Sequence, residues 1–299
     1  MSPRQAVPNY ELATDTARLN LLTNGGFEIW QRGNGPGNYY GAYLADRWLN
    51  NLGGSSAYTV SRIASTIGSP GYSQQVVYTH VAGGYGQHMQ ILTDGITQMG
   101  NKTVSFSIHV KSSVVGGANV VIMANNANAA TKFNAQANVD ETISVTTTLP
   151  ASLTQFAVEV VLTTSGTYEF NDAMLVVGSV AADYAPLHPA DDLARCLRYY
   201  ERYTSTVGNL TTAQAVLGTA AYGPVAYKVP KAVVPTVTFG GTWNGTQPAG
   251  TLTAGAPTAG QISVADFQIG LTGMTGLTAG YACLVTGASG ATISIEANP

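Results

Sequence analysis

The chain has 299 residues, of which 13 are Lys or Arg and 16 are Asp or Glu, for a net charge of −3. Only 10% of residues are charged, against roughly 25% in ordinary soluble domains, so Ser, Thr, Asn, Gln, Gly and Tyr must cover most of the surface. With 45% hydrophobic residues the chain folds rather than staying disordered, and the lack of any basic block excludes an electrostatic footprint for nucleic acid.

Residues 1–19 are polar, contain Pro3 and Pro8 and show no periodicity, which predicts an extended arm that needs a partner surface to order it. They hold no apolar run of signal-peptide character, and nothing in the chain approaches the ~18 apolar residues of a membrane span. An exterior-type composition without an export signal is expected of a virion protein, which folds in a host cytoplasm and leaves by lysis.

From 20 to 185 the pattern predicts strand after strand. Val104, Phe106, Ile108 and Val110 alternate with polar residues over Thr103–Lys111, and Phe156, Val158, Val160 and Leu162 do so over Gln155–Thr163. Ile143 and Val145 mark another strand, and Tyr168, Phe170, Met174 and Val176 one more. Strands punctuated by Gly/Ser/Asn clusters without intervening helices predict a β-sandwich.

One helix is predicted over 189–203, within a connector spanning 186–203. Pro189 opens it, Asp191 and Asp192 sit in its first turn, and Leu193, Cys196, Leu197 and Tyr200 form one apolar stripe. Charge then drops sharply: only Lys228, Lys231, Asp266 and Glu296 are charged in the last 96 residues. Residues 204–299 are expected to form a second small β-sandwich, with strands at Val225–Val229, Thr236–Phe239, Gln261–Val264, Ala282–Thr286 and Thr292–Glu296. The fold class is thus all-β.

Motifs of catalysis are missing. The chain has no Gly-x-Ser-x-Gly elbow, and Gly33–Gly37 does not form a phosphate loop. His80, His88, His109 and His188 offer no zinc-ligand pair, and His109 is expected to be a solvated residue on an outer strand face. Cys196 and Cys283 are expected as free, buried thiols. Glu28, Asp94, Asp140, Glu141, Glu159 and Glu169 could supply the two carboxylates of a glycoside hydrolase, but the expectation is that the chain is not an enzyme.

The segment Asn20–Glu28, with its Asn24-Gly25-Gly26-Phe27-Glu28, resembles the first strand of the jelly-roll carbohydrate-binding modules attached to glycanases. Its continuation, Ile29-Trp30-Gln31-Arg32-Gly33 and then Ala45-Asp46-Arg47-Trp48, resembles a group of tailed-bacteriophage and gene-transfer-agent proteins: tail fibres, receptor-binding proteins and head spikes. Tyr168–Gly178 resembles the closing strand of the modules, and Asp191–Tyr200 the helix that follows it in the phage group. The resemblance implies that first and last strands lie together around a structural calcium ion, with Glu28 and Asp172 at the matching positions. It also implies a fibre or spike subunit on the surface of a virion or phage-like particle, attaching to bacterial surface polysaccharide.

Sugar rings are held by flat apolar faces flanked by hydrogen-bonding groups, which Tyr and Trp supply. Tyr39, Tyr40 and Tyr43 lie in a Gly/Asn-rich stretch and Trp243 in a Gly-rich one, so these four are the candidate sugar contacts, whereas Trp30 and Trp48 are expected in the core. The expected partners are a bacterial glycan, other virion proteins through the arm, and the chain itself, most simply as a trimer; nucleic acid and membrane insertion are not expected. Two other readings stay open, a ligand-free connector or decoration protein and a capsule depolymerase.

Overall fold

Apolar residues at every second position give a strand one wet and one dry face, and two such sheets close on each other. The computed structural model describes residues 20–37, 41–206 and 208–299; the expected arm, 1–19, lies outside the described residues. The described residues divide into two compact units, one of 20–28 with 34–188, the other of 29–33 with 189–299.

The first unit runs through β1 (Ala42–Tyr43), β2 (Leu49–Gly53), β3 (Ala57–Ala64), β4 (Tyr72–Thr79) and β5 (Tyr85–Leu92). After a 3-10 turn at Ile96–Met99 come β6 (Thr103–Ser112), β7 (Ala118–Ala124), β8 (Ala127–Phe133), β9 (Asp140–Thr148), β10 (Phe156–Leu162) and β11 (Gly166–Val177). They form two antiparallel sheets, ordered β1-β2-β5-β10-β7-β8 and β3-β4-β11-β6-β9, an all-β jelly-roll sandwich. Phe156, Val158, Val160 and Leu162 of β10, and Val104, Phe106, Ile108 and Val110 of β6, are buried between them. His88 fixes the inward parity of β5: its ring meets Tyr58 of β3 at 5.4 Å and Phe170 of β11 at 5.6 Å.

Residues 20–25 run along β11 and close the sandwich. Leu21 N–H donates to Leu175 O and Ala173 N–H to Gly25 O, each at 2.9 Å. Asn20 bridges the same seam, its Nδ2 donating to Ala173 O at 2.9 Å and its Oδ1 accepting from Leu175 N at 3.0 Å. Gly25 has no substitute here, because a Cβ would stand 2.2 Å from Ala173 O. Opposite this seam β11 bulges between Asn171 and Met174, with Asp172 at φ 52°; bulges re-aim a side chain.

The second unit holds α1 (Pro189–Leu197), β12 (Tyr200–Thr204), β13 (Asn209–Leu217), β14 (Ala220–Ala226), β15 (Thr236–Gly240) and β16 (Trp243–Gln247). It ends with β17 (Gly250–Thr253), β18 (Thr258–Gly260), β19 (Asp266–Leu271), β20 (Ala282–Gly287) and β21 (Thr292–Glu296). Sheets β12-β21-β15 and β17-β16-β20-β13-β14-β19-β18 enclose Trp243, Phe267, Ile269, Val285, Ile293 and Ile295. Residues 29–33 belong to this unit: Gln31 Nε2 donates to Tyr200 O at 3.0 Å, and the Arg32 guanidinium lies 3.5 Å from the Tyr200 ring centre.

The helix stops at Leu197, short of the expected 203. Lys231, distant in sequence, donates to Leu197 O at 2.6 Å and to Glu201 Oε2 at 2.6 Å, so a buried cation satisfies a carbonyl at the helix end. Tyr200–Thr204 then pairs with β21. The strands expected at Val225–Val229 and Gln261–Val264 also shift, β14 ending at Ala226 and β19 starting at Asp266, because Ser263 makes a turn with Asp266 (Ser263 N to Asp266 O, 2.9 Å). Among the described residues no helix is long and apolar enough to cross a membrane.

Asn20→Ala strips two buried β11 backbone groups of their partners, Ala173 O and Leu175 N. At ~1–3 kcal/mol for each orphaned group, the expected loss of unfolding free energy is about 2–6 kcal/mol, measured by urea denaturation. An unchanged midpoint contradicts the role given to the seam.

Candidate functional site

Cross-strand partners in an antiparallel sheet point to the same side, so the register maps the outer face of the six-stranded sheet. His88, Gln90, Val158 and Val160 point inward, and their sequence neighbours point out. One outward row is Asn51–Gln87–Val161–Asn119–Phe133, and the next is Tyr43–Leu49–Met89–Glu159–Val121–Thr131. Gly53 and Tyr85 pair one step beyond Asn51 and Gln87.

Tyr85 is 40% exposed. Its ring covers Gly53, where a Cβ would stand 2.2 Å from Cε1, so the glycine is what lets an aromatic ring settle on this strand pair. Beside it runs a polar relay: Asn51 Nδ2 donates to Gln87 Oε1 at 3.1 Å, and Gln87 Nε2 to Glu159 Oε2 at 3.0 Å. Across the sheet Thr131 Oγ1 donates to Asn119 Oδ1 at 2.6 Å. None of these row positions is Lys or Arg.

Glu159 is the unusual member. It is 2% exposed, and its direct neighbours on the two flanking strands are Met89 and Val121. Burial among apolar groups disfavours the carboxylate and pushes its pKa up to about 7. The carboxyl itself is covered, and the relay meets solvent through the half-buried Asn51 and Gln87.

The sequence-predicted contacts fare differently. Tyr39 and Tyr40 lie outside the described residues. Tyr43 is on the outer row but in a strand rather than a loop, and is 8% exposed. Trp243 is corrected outright: it is 2% exposed in the core of the second unit, its Nε1 donating to Gly240 O at 3.2 Å. Its Gly-rich surroundings form a β-strand pairing β16 with β17 and β20, which gives the indole a core to join. Trp30 and Trp48 are buried, and both cysteines are free and buried. Tyr85, Asn51 and Gln87 were not singled out from sequence. The Gly53–Tyr85 pairing could be found only through strand register, which spans 32 residues of sequence.

The expected metal pair proves to be a loop anchor. Glu28 Oε1 accepts from Tyr72 N at 2.9 Å and Asp172 Oδ2 from Ser69 N at 2.6 Å, so both hold the loop 65–72. Calcium takes six or more oxygens, and among the described residues no three His, Cys, Asp or Glu side chains are grouped to hold a metal ion. His109 is not a simply solvated residue either; its Nδ1 lies 2.8 Å from Asp140 Oδ1.

No family model and no curated protein sequence matches the chain. Solved structures do. A cyclase from Fischerella sp. TAU is 12% identical with a TM-score of 0.42, the match covering 56% of this chain and all of that one. The family 11 carbohydrate-binding module of a cellulosomal cellulase of Clostridium thermocellum is 15% identical, TM-score 0.35, over 49% of this chain and 95% of the module. The CBM22-1–GH10 modules of a Clostridium thermocellum xylanase are 16% identical, TM-score 0.37, over 54% of this chain and 29% of that one. Cyclases, which are enzymes, stand among these matches beside carbohydrate-binding modules, so the comparison does not bear out the expectation that the chain is not an enzyme.

Chelator is expected to leave the melting temperature unchanged, with no calcium found in purified protein by elemental analysis; a fall on chelation would restore the Glu28–Asp172 site. For Glu159 the folded pKa of about 7 lies above the ordinary 4.5, so the native state binds the extra proton. Its contribution to stability is full below 4.5 and is lost as pH rises through 7. Glu159→Gln should remove that decline, gaining about 2–4 kcal/mol at pH 8 relative to wild type while changing little at pH 4. Parallel stability curves for the two proteins would contradict the assignment.

Proposed function

We propose that the outer face of the six-stranded sheet binds neutral carbohydrate. The observation that carries this reading is the Tyr85 ring settled over Gly53 at the end of the Asn51–Gln87–Glu159 relay. An exposed aromatic face beside groups that both donate and accept is what a pyranose needs, with its apolar ring face and its rim of hydroxyls. The lack of Lys and Arg on the row positions favours a neutral over an acidic glycan.

The finer reading is a fibre or spike subunit of a phage-like particle that attaches to polysaccharide on a bacterial surface. Its support is the motif resemblance and the charge-poor composition, which suits a chain working outside a cell. In this reading residues 1–19 anchor the subunit to other particle proteins, and the charge-poor last 96 residues join it into a trimer. Several weak sites then act together through avidity.

Calorimetric titration of the full chain with soluble neutral polysaccharides tests the binding reading. Tyr85→Ala and Gln87→Ala are each expected to weaken binding about tenfold, ~1.4 kcal/mol; Tyr85→Ala should leave the melting temperature unchanged, whereas Gln87→Ala also strips buried Glu159 of its donor and lowers it. Binding that survives both changes together would remove the outer face as the site.

A further inference from the structure

The opposite sheet carries a second feature that the proposed function does not use. A cleft of about 350 Å³ opens on the outer side of β6, β9 and β11, beside the loop 65–72, within the ~300–1,000 Å³ range of small-molecule sites. Its walls include three carboxylates, Asp140, Asp172 and Asp183, with His109, Thr142 and Tyr184, and no Lys or Arg.

Asp172 makes this more than a cluster of acids. The residue is 4% exposed, and while its Oδ2 takes the Ser69 N–H, its Oδ1 is buried without any hydrogen-bond partner. A buried carboxylate oxygen left in that state is costly, and the β11 bulge is what brings the side chain to the cleft. The one imidazole is already engaged, its Nδ1 2.8 Å from Asp140 Oδ1 and its Nε2 3.1 Å from Thr142 Oγ1. Asp140 also takes the Gly68 N–H at 2.9 Å, which leaves exposed Asp183 as the wall carboxylate with no anchoring bond among the described residues.

The carboxylates surround space rather than converge. Among the described residues no three are close enough to hold one metal ion, so the charge complement is a cation of larger size. We propose that the cleft binds an organic ammonium on a hydroxylated ring, an unacetylated amino sugar. Its ammonium pairs with the Asp172 and Asp183 carboxylates that line the cleft, and its hydroxyls meet Thr142 and the Ser69 turn. The sugar part of this assignment rests on the carbohydrate reading; the ammonium part rests on the cleft alone.

Titration of the full chain with glucosamine, N-acetylglucosamine and glucose, followed by calorimetry, tests it. Glucosamine is expected to bind at least tenfold more tightly than either neutral sugar, and Asp183→Asn to weaken it at least tenfold with an unchanged melting curve. Asp172→Asn should do the same but can loosen the loop 65–72, so Asp183→Asn is the deciding variant. Tyr85→Ala should leave glucosamine binding intact. Equal affinity for the three sugars, or full binding by Asp183→Asn, overturns the proposal. Loss of glucosamine binding in Tyr85→Ala alone overturns it while sparing the carbohydrate reading. Calcium that displaces glucosamine from wild type, and binds Asp183→Asn weakly, makes the cleft a metal site and overturns it as well.

Discussion

The first unit depends on one seam, where residues 20–25 run along β11 more than 150 positions away in sequence. Asn20 spends both ends of its amide there, and Gly25 gives up a side chain so that Ala173 O can approach. Opposite the seam β11 bulges between Asn171 and Met174, and outward side chains at and before the bulge reach the loop 65–72. Glu169 takes Thr66 N at 2.7 Å, Asn171 Nδ2 donates to Ser65 Oγ at 3.0 Å, and Asp172 takes Ser69 N at 2.6 Å. Three successive acceptors and donors of one strand thus hold one loop, and the cleft beside that loop inherits its shape from them.

The two sheets present different chemistry because strand alternation leaves each with one face turned away from the sandwich core. The five-stranded sheet spends its outward acids on backbone N–H groups and on His109. The six-stranded sheet keeps an amide relay ending in a carboxyl that burial holds near neutrality. Buried polar residues of this kind cost stability. Inside the sandwich His88 is held neutral, its pKa lowered to about 3 by burial, with Nδ1 2.6 Å from Asn50 Oδ1. An apolar residue at either Glu159 or His88 would pack with less penalty, so the outward carboxyl in particular asks for a role other than folding.

Much of the architecture was legible in sequence because it follows from local periodicity. The strands at Thr103–Ser112, Phe156–Leu162 and Thr292–Glu296 are those the alternation of apolar residues marks. The helix end was not, since Lys231 sets it from 34 residues away. Trp243 misled because glycines around an indole read as a flexible loop, whereas here they belong to a strand whose partners lie elsewhere in the chain. The candidate site was hidden for the same reason. Tyr85, Gln87 and Glu159 are unremarkable in order along the chain and become one surface only when β2, β5 and β10 are placed in register. Glu159 was visible as a carboxylate, but its neighbours Met89 and Val121, which set its proton affinity, were not.

The most direct test of the central claim is a map of amide chemical-shift changes on isotopically labelled full chain during titration with a neutral oligosaccharide. The shifted amides are expected to cluster on β2, β5, β10 and β7, strongest at Asn51, Tyr85, Gln87 and Glu159. Shifts confined to the second unit, or none at saturating oligosaccharide, would contradict it.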